Sequence, residues 1–165
     1  MKRVAFYTLG CKVNTYETEG MKRLFEKSGY DIVDFADKAD VYIINTCTVT
    51  HLSDRKSRQI IRRAKANNPE SIVAAVGCYA QVSPDDVANI NGVNLVLGNK
   101  NKSNIVKYIE GISHEQQEII VGDEKELKEY EELWADTYVG QTRAFLKIQD
   151  GCNQFCSYCI IPHAG

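Results

Sequence analysis

No apolar stretch in this sequence approaches the roughly 18 residues that a helix needs to cross a bilayer. The start, Met1 to Leu9, is basic and then apolar, but it runs into polar Cys11-Lys12-Val13-Asn14 without a small-residue cleavage pattern. It reads as a first β-strand and not as a signal peptide. Charge of one sign is also missing. The net charge is −2 and the pI about 5.9, which excludes a uniformly basic nucleic-acid binder and makes any RNA contact local. Proline is scarce, and neither an internal repeat nor a low-complexity tract occurs. These absences leave a globular protein expected in the cytoplasm, with no membrane partner. Its 165 residues, 44% apolar and 25% charged, suffice for one hydrophobic core and the start of a second domain.

What is present is alternation. Arg3–Leu9 reads as a strand, Thr15–Ser28 as an amphipathic helix stopped by Gly29, and Asp31–Phe35 and Val41–Asn45 as strands. Ser53–Asn67 is a helix ended near Pro69, and Ser71–Val76 a strand. Ser83-Pro84-Asp85-Asp86 sets a capping serine, a first-turn proline and two acids in the order a helix start requires. Asn94–Leu97 is a short strand and Ser103–Ile109 a last helix. Strands alternating with helices imply βαβ units. The expected fold class is therefore α/β: a flavodoxin-like (Rossmann-like), mainly parallel sheet flanked by helices, over residues 1–110. One link is awkward. Only Ala36–Asp40 separates two of the strands, where a parallel crossover usually takes about a dozen residues, so a strand boundary is misplaced or one strand is very short. Residues 111–140 carry Asp123, Glu124, Glu126, Glu129, Glu131, Glu132 and Asp136. They read as an exposed acidic linker with some helix, a solvated spacer before a binder of basic partners. Thr142–Ile148 reads as a new strand that opens a second domain over 141–165.

In a reducing compartment the six cysteines are expected to be thiols, metal ligands or catalytic groups, not three disulfides. They fall into two sets. Cys152, Cys156 and Cys159 form C-x3-C-x2-C just after the last expected strand. Close spacing on a loop lets three thiolates face one cubane. An iron–sulfur cluster usually takes four cysteines, so three leave one iron open to another ligand. A zinc site with His163 as its fourth ligand, or unrelated thiols, are the alternatives. Cys11, Cys47 and Cys78 are separated by 35 and 30 residues, but each follows an expected strand. All three thus fall at the carboxyl edge of the sheet, where open α/β folds bind ligands. In a 2-1-3-4-5 order their strands are neighbours about 4.8 Å apart, and the loops converge. Gly10 and Gly77 precede two of them, as suits backbone that approaches a ligand closely. Buried structural cysteines remain the alternative.

The words around the cysteines narrow the field. Thr8-Leu9-Gly10-Cys11-Lys12-Val13-Asn14, Asn45-Thr46-Cys47-Thr48-Val49-Thr50 and Gly77-Cys78-Tyr79-Ala80-Gln81 resemble the three cluster-binding motifs of the radical-SAM tRNA methylthiotransferases. Phe145-Leu146-Lys147-Ile148-Gln149-Asp150-Gly151-Cys152 through Cys159-Ile160-Ile161-Pro162 resembles that family's entry into its radical-SAM domain. The details resemble most the branch that modifies N6-threonylcarbamoyladenosine in tRNA. The resemblance implies two 4Fe-4S clusters, one on each cysteine set, and S-adenosyl-L-methionine as co-substrate, with Tyr158 beside its adenine. It implies transfer of a methylthio group to C2 of the modified adenosine next to the anticodon. The implied partners are tRNA, S-adenosylmethionine and an electron donor such as flavodoxin or ferredoxin. No catalytic residue beyond the cluster ligands is implied. Family members continue into a full radical-SAM barrel and an RNA-binding TRAM domain, so 141–165 is expected to be only the first strand and cluster loop of that barrel. The chain alone is not expected to turn over tRNA. It also reads Pro162-His163-Ala164-Gly165 where the family usually has Ala-Arg-Gly, without the arginine.

Other residues merit attention. Arg55, Arg58, Arg62 and Lys65 fall near helical spacing on one side of the helix after Cys47, opposite Ile60, Ile61 and Ala64. That makes the best RNA-facing surface, since phosphate contacts carry affinity without reading sequence; a solvated face is the plain alternative. His51 and His114 read as ordinary loop or surface residues. Asn14 and Asn45 flank cluster cysteines, either as hydrogen-bond donors to sulfur or as turn formers. Two other functions stay open: a non-catalytic iron–sulfur or zinc module, and a flavodoxin-like ligand or interaction domain with structural cysteines.

Overall fold

A computed structural model describes residues 1–48, 51–122, 133 and 147–164 of the chain. Six strands form one wholly parallel sheet: β1 (Arg3–Thr8), β2 (Asp31–Val33), β3 (Val41–Thr46), β4 (Ile72–Gly77), β5 (Leu95–Leu97) and β6 (Glu118–Ile120). Their order is β2-β1-β3-β4-β5-β6. The helices are α1 (Lys12–Lys27), α2 (His51–Asn67), α3 (Cys78–Val82), α4 (Pro84–Ala88), α5 (Ile105–Gly111) and α6 (Ile161–Ala164). Central strands of such a sheet are covered on both faces, so they are apolar without polar alternation. β3 is buried throughout. Tyr42 and Ile44 pack with Ile60, Ile61 and Ala64 of α2 on one face. Val41 and Ile43 pack with Met21 and Phe25 of α1 on the other. Each such valine, isoleucine, methionine or phenylalanine contributes about 1.5–3 kcal/mol by leaving water.

Local chemistry ends the elements where they must end. Past the last turn of α1, Gly29 takes φ +81°. Its N–H donates to the Glu26 carbonyl at 3.0 Å, and the Tyr30 N–H donates to the Phe25 carbonyl at 3.0 Å. That closes the helix with a glycine C-cap. The awkward connection has a physical answer. β2 is only three residues long and lies on the far side of β1 from β3, so the intervening chain crosses β1 without a helix. Asp34 Oδ1 accepts the Ala36 N–H at 2.8 Å. The Tyr42 hydroxyl accepts the Ala39 N–H at 3.0 Å and donates to the Asp37 carbonyl at 2.6 Å. Phe35 and Ala39 are buried beneath.

Three expectations need correcting. The stretch read as linker from residue 111 contributes β6, which pairs with β5 through Leu95–Glu118, Val96–Ile119 and Leu97–Ile120. Three residues set among polar ones give too little alternation to read as a strand. Side-chain amides hold it: Asn94 donates to the carbonyls of His114 and Gln116, and Gln117 to those of Ala88 and Val93. Leu133, in the same stretch, is buried, and a Cβ on Gly20 would lie 3.0 Å from its Cβ. Finally, α3 follows Gly77 directly, where a loop was expected. The acidic residues 123–132 and 136, and 142–146 of the expected last strand, lie outside the described residues; Lys147 and Ile148 are not in a strand. Among the described residues no helix is long and apolar enough to cross a membrane.

Candidate cysteine-lined site

β1, β3 and β4 are adjacent in the sheet, and their carboxyl ends deliver Cys11, Cys47 and Cys78. The three thiols differ in surroundings. Cys11 is exposed at the N-cap of α1, with its S–H toward Asn14 Oδ1 at 3.5 Å. Cys47 is buried against Gly10, where φ is +100° and an added Cβ would lie 2.9 Å from the Cys47 sulfur. Only glycine lets the chain after β1 lie on Cys47. Cys78 opens α3, half-buried, and burial pushes its thiol up to about 11 against the opposing pull of the Lys102 ammonium and the Asn99 amide. The paired asparagines brace this edge and do not donate to sulfur. Asn14 Nδ2 donates to the carbonyls of Leu9 and Thr46 at 2.8 and 2.9 Å. Asn45 Nδ2 donates to the Asn14 carbonyl at 3.0 Å, while its Oδ1 is buried without a partner.

Beside the cysteines lies a buried charge cluster. Glu17 of α1 faces Lys102 Nζ at 2.6 Å and Lys147 Nζ at 3.0 Å. Lys147 also meets Asp150 at 2.5 Å. Burial alone would raise the Glu17 carboxyl, but the two ammonium groups outweigh it and hold it below its ordinary value. Burial would lower Lys147, yet Glu17 and Asp150 hold it above its ordinary value. Lys102 also donates to Asn99 Oδ1 at 2.7 Å, and Asn99 Nδ2 lies 3.9 Å from the Cys78 sulfur. A cavity of about 250 Å³ opens here, lined by Cys11, Cys78 and Asn99 together with Gln149, Gly151 and Ile161.

The second cysteine set sits on a turn next to this cavity. Cys152 and Cys159 are half-buried and Cys156 exposed, and the Cys159 N–H donates to the Cys156 carbonyl at 2.9 Å. Gly151 (φ +63°) and Phe155 (φ +45°) turn the loop through left-handed backbone, uncommon for phenylalanine. Tyr158 is 90% exposed. His163 packs edge-on to Phe155, ring centroids 5.8 Å apart. Among the described residues, no three His, Cys, Asp or Glu side chains form a group that could hold a single metal ion. The basic stripe on α2 is narrower than its spacing implied. Arg55 and Arg62 are exposed, but Arg58 donates to the Tyr79 hydroxyl at 2.9 Å. Lys65 donates to the Ser71 carbonyl at 2.7 Å, its stem lies over Gly92, and burial lowers its ammonium. Sequence reasoning missed Glu17, Asn99, Lys102 and Lys147. Asn99 and Lys102 follow β5 at the same sheet edge as the cysteines, and applying the edge rule to every strand would have found them.

Sheet and edge together define a flavodoxin-like α/β domain whose cysteines gather where such folds bind ligands. Its fold is shared with a CheY-like response regulator receiver domain from Methanospirillum hungatei JF-1, at a TM-score of 0.51 and 12% identity over 67% of this chain and 92% of that one. Residues 3–98 match the model of Uncharacterized protein family UPF0004, and the chain belongs to that family. It is a homologue of the MtaB methylthiotransferases. It is 50% identical to the threonylcarbamoyladenosine tRNA methylthiotransferase MtaB of Bacillus subtilis (strain 168), over 99% of this chain and 37% of that protein. With the MtaB of Aquifex aeolicus (strain VF5) it shares 46%, over 98% of this chain and 40% of that protein. With a tRNA-2-methylthio-N(6)-dimethylallyladenosine synthase of Fusobacterium nucleatum it shares 32%, over 99% of this chain and 38% of that protein. The chain thus spans well under half the length of these relatives.

Proposed function

We propose that the chain is part of a radical-SAM methylthiotransferase that modifies N6-threonylcarbamoyladenosine in tRNA, with one iron–sulfur cluster on each cysteine set. One observation carries the reading: Cys11 and Cys78 line one cavity together with Gln149, Gly151 and Ile161, which flank the loop of Cys152, Cys156 and Cys159. The donor chemistry fits two 4Fe-4S clusters. Ligands of one ion must all reach a single point about 2.3 Å from each sulfur, whereas cysteines on a cubane bind separate irons, so their sulfurs stand wider apart. Gly10 keeps side-chain bulk away from the Cys47 thiol. Cys11, Cys47 and Cys78 would hold one cluster and Cys152, Cys156 and Cys159 the other. When bound, such a pair supplies one-electron reduction of S-adenosylmethionine at the loop set and a sulfur for transfer at the strand-end set.

The chain's own residues then bind and orient. Exposed Tyr158 offers a ring for the adenine of S-adenosylmethionine. Arg55 and Arg62 offer phosphate contacts to tRNA from the outer face of α2. An electron donor such as flavodoxin or ferredoxin would serve the loop set. In this reading residues 141–165 begin the radical-SAM domain. The test is iron and sulfide content of the anaerobically reconstituted chain beside its Cys11→Ala/Cys47→Ala/Cys78→Ala variant. About four irons should be lost in the variant, one cubane's worth. Equal iron in both proteins would make the strand-end cysteines structural and sink the reading.

A further inference from the structure

The run leading into Cys152 contains two charged residues, Lys147 and Asp150, that the cluster reading leaves without work. The structure gives them partners. The Lys147 side chain is only 3% exposed and lies between Glu17 and Asp150. Glu17, itself 4% exposed, takes Lys147 on one oxygen and Lys102 on the other. Charge balance does not demand this, because Lys102 alone neutralises Glu17. The cluster is two neutral pairs, Glu17 with Lys102 and Lys147 with Asp150, which can join or part without stranding a buried charge. The other flank of the cysteine loop is fastened to the same elements: Asn99 Nδ2 donates to the Ala164 carbonyl, and α6 packs on α3, which begins at Cys78.

We infer that Glu17 is a positioning residue: through Lys147 it sets the segment bearing Cys152, Cys156 and Cys159 against the sheet edge bearing Cys11 and Cys78. The use of that placement, bringing a sulfur source opposite the site of S-adenosylmethionine cleavage, rests on the two-cluster reading above; the placement itself does not. Lys147 is the arm to cut, because its loss leaves the Glu17–Lys102 pair inside the sheet domain intact.

Amide hydrogen exchange on the full 165-residue chain tests the inference with Lys147→Met, Lys147→Gln and Lys147→Arg. In the Met and Gln variants, peptides covering 147–164 should exchange about tenfold faster or more, while peptides from β3 and β4 keep the parental rate, as expected of a local opening. The Arg variant should return 147–164 toward the parental rate. After reconstitution, Lys147→Met should keep its iron yet lose the electron-paramagnetic broadening that two nearby reduced clusters impose on each other. Parental exchange of 147–164 in both neutral variants would overturn the inference. So would equal acceleration throughout the sheet, because Lys147 would then be a general stabiliser. Equal iron in the strand-end cysteine variant would remove the two-cluster reading and leave the exchange result standing, so the two failures are distinct.

Discussion

At Gly77 the backbone holds φ +92° and ψ −158°, a region populated essentially by glycine alone. A Cβ there would lie 2.4 Å from Asn45 Oδ1 and 2.9 Å from the Thr46 carbonyl oxygen. Both neighbours belong to the braced edge that carries Cys47 and cannot swing away cheaply. Gly77→Ala should therefore destabilise the chain by about 2–4 kcal/mol from backbone strain and steric overlap combined, read as a lower urea midpoint with an unchanged slope. Gly29, with φ +81° but nothing near its Cβ, is the control: Gly29→Ala meets only the backbone penalty of about 1 kcal/mol. Single residues were unequally legible. The cysteines showed themselves because each strand-end position follows from where an apolar run stops. Glu17 and Lys102 did not, because in sequence a charged residue looks solvated. Their burial depends on partners 85 and 130 residues away along the chain.

At the scale of elements, α1 does more than cover the sheet. Its Met21–Phe25 side packs on the core, and its first turns carry Asn14 and Glu17 into the cysteine edge. Glu17 sits below its ordinary pKa when folded, because Lys102 and Lys147 outweigh its burial. Its contribution to stability is therefore fully present above that ordinary value and is lost as pH falls through the lower, folded one. Urea midpoints taken from neutral pH down to about pH 3 should show this acid loss in the parent, and a flatter profile in Glu17→Gln. At neutral pH that variant should already be weaker by about 3–5 kcal/mol, since the buried Lys102 ammonium loses its carboxylate while Lys147 keeps Asp150. Elements of more than five residues were readable from periodicity and turn residues, α1, α2, β1, β3 and β4 among them. Of the short ones, β2, β5 and α4 were readable too, but α3 and β6 were not. Tertiary contacts decide such brief segments: β6 is held by the side-chain amides of Asn94 and Gln117, whose partners lie on other elements and loops.

Over the whole molecule, net acidity and local basicity coexist. The chain carries −2 overall, yet Arg55 and Arg62 stand exposed on one helix face. Under the proposed function, Arg55→Ala/Arg62→Ala should weaken tRNA binding and flatten its salt dependence by about one to two units in the log–log slope, one for each lost phosphate contact. Arg58→Ala should act on stability instead, because its partner is the buried Tyr79 hydroxyl. Binding that is unchanged in the double variant would move the RNA surface elsewhere. The sheet has a further consequence. Its two cores, one under α2 and one under α1 and α5, close around the strands without help from five of the six thiols; only Cys47 is buried. Small metal-dependent domains fold only once their ion arrives. Here both cores close on side chains other than cysteine, so a chelator should leave the far-ultraviolet circular dichroism of the chain unchanged, where it would unfold such a domain.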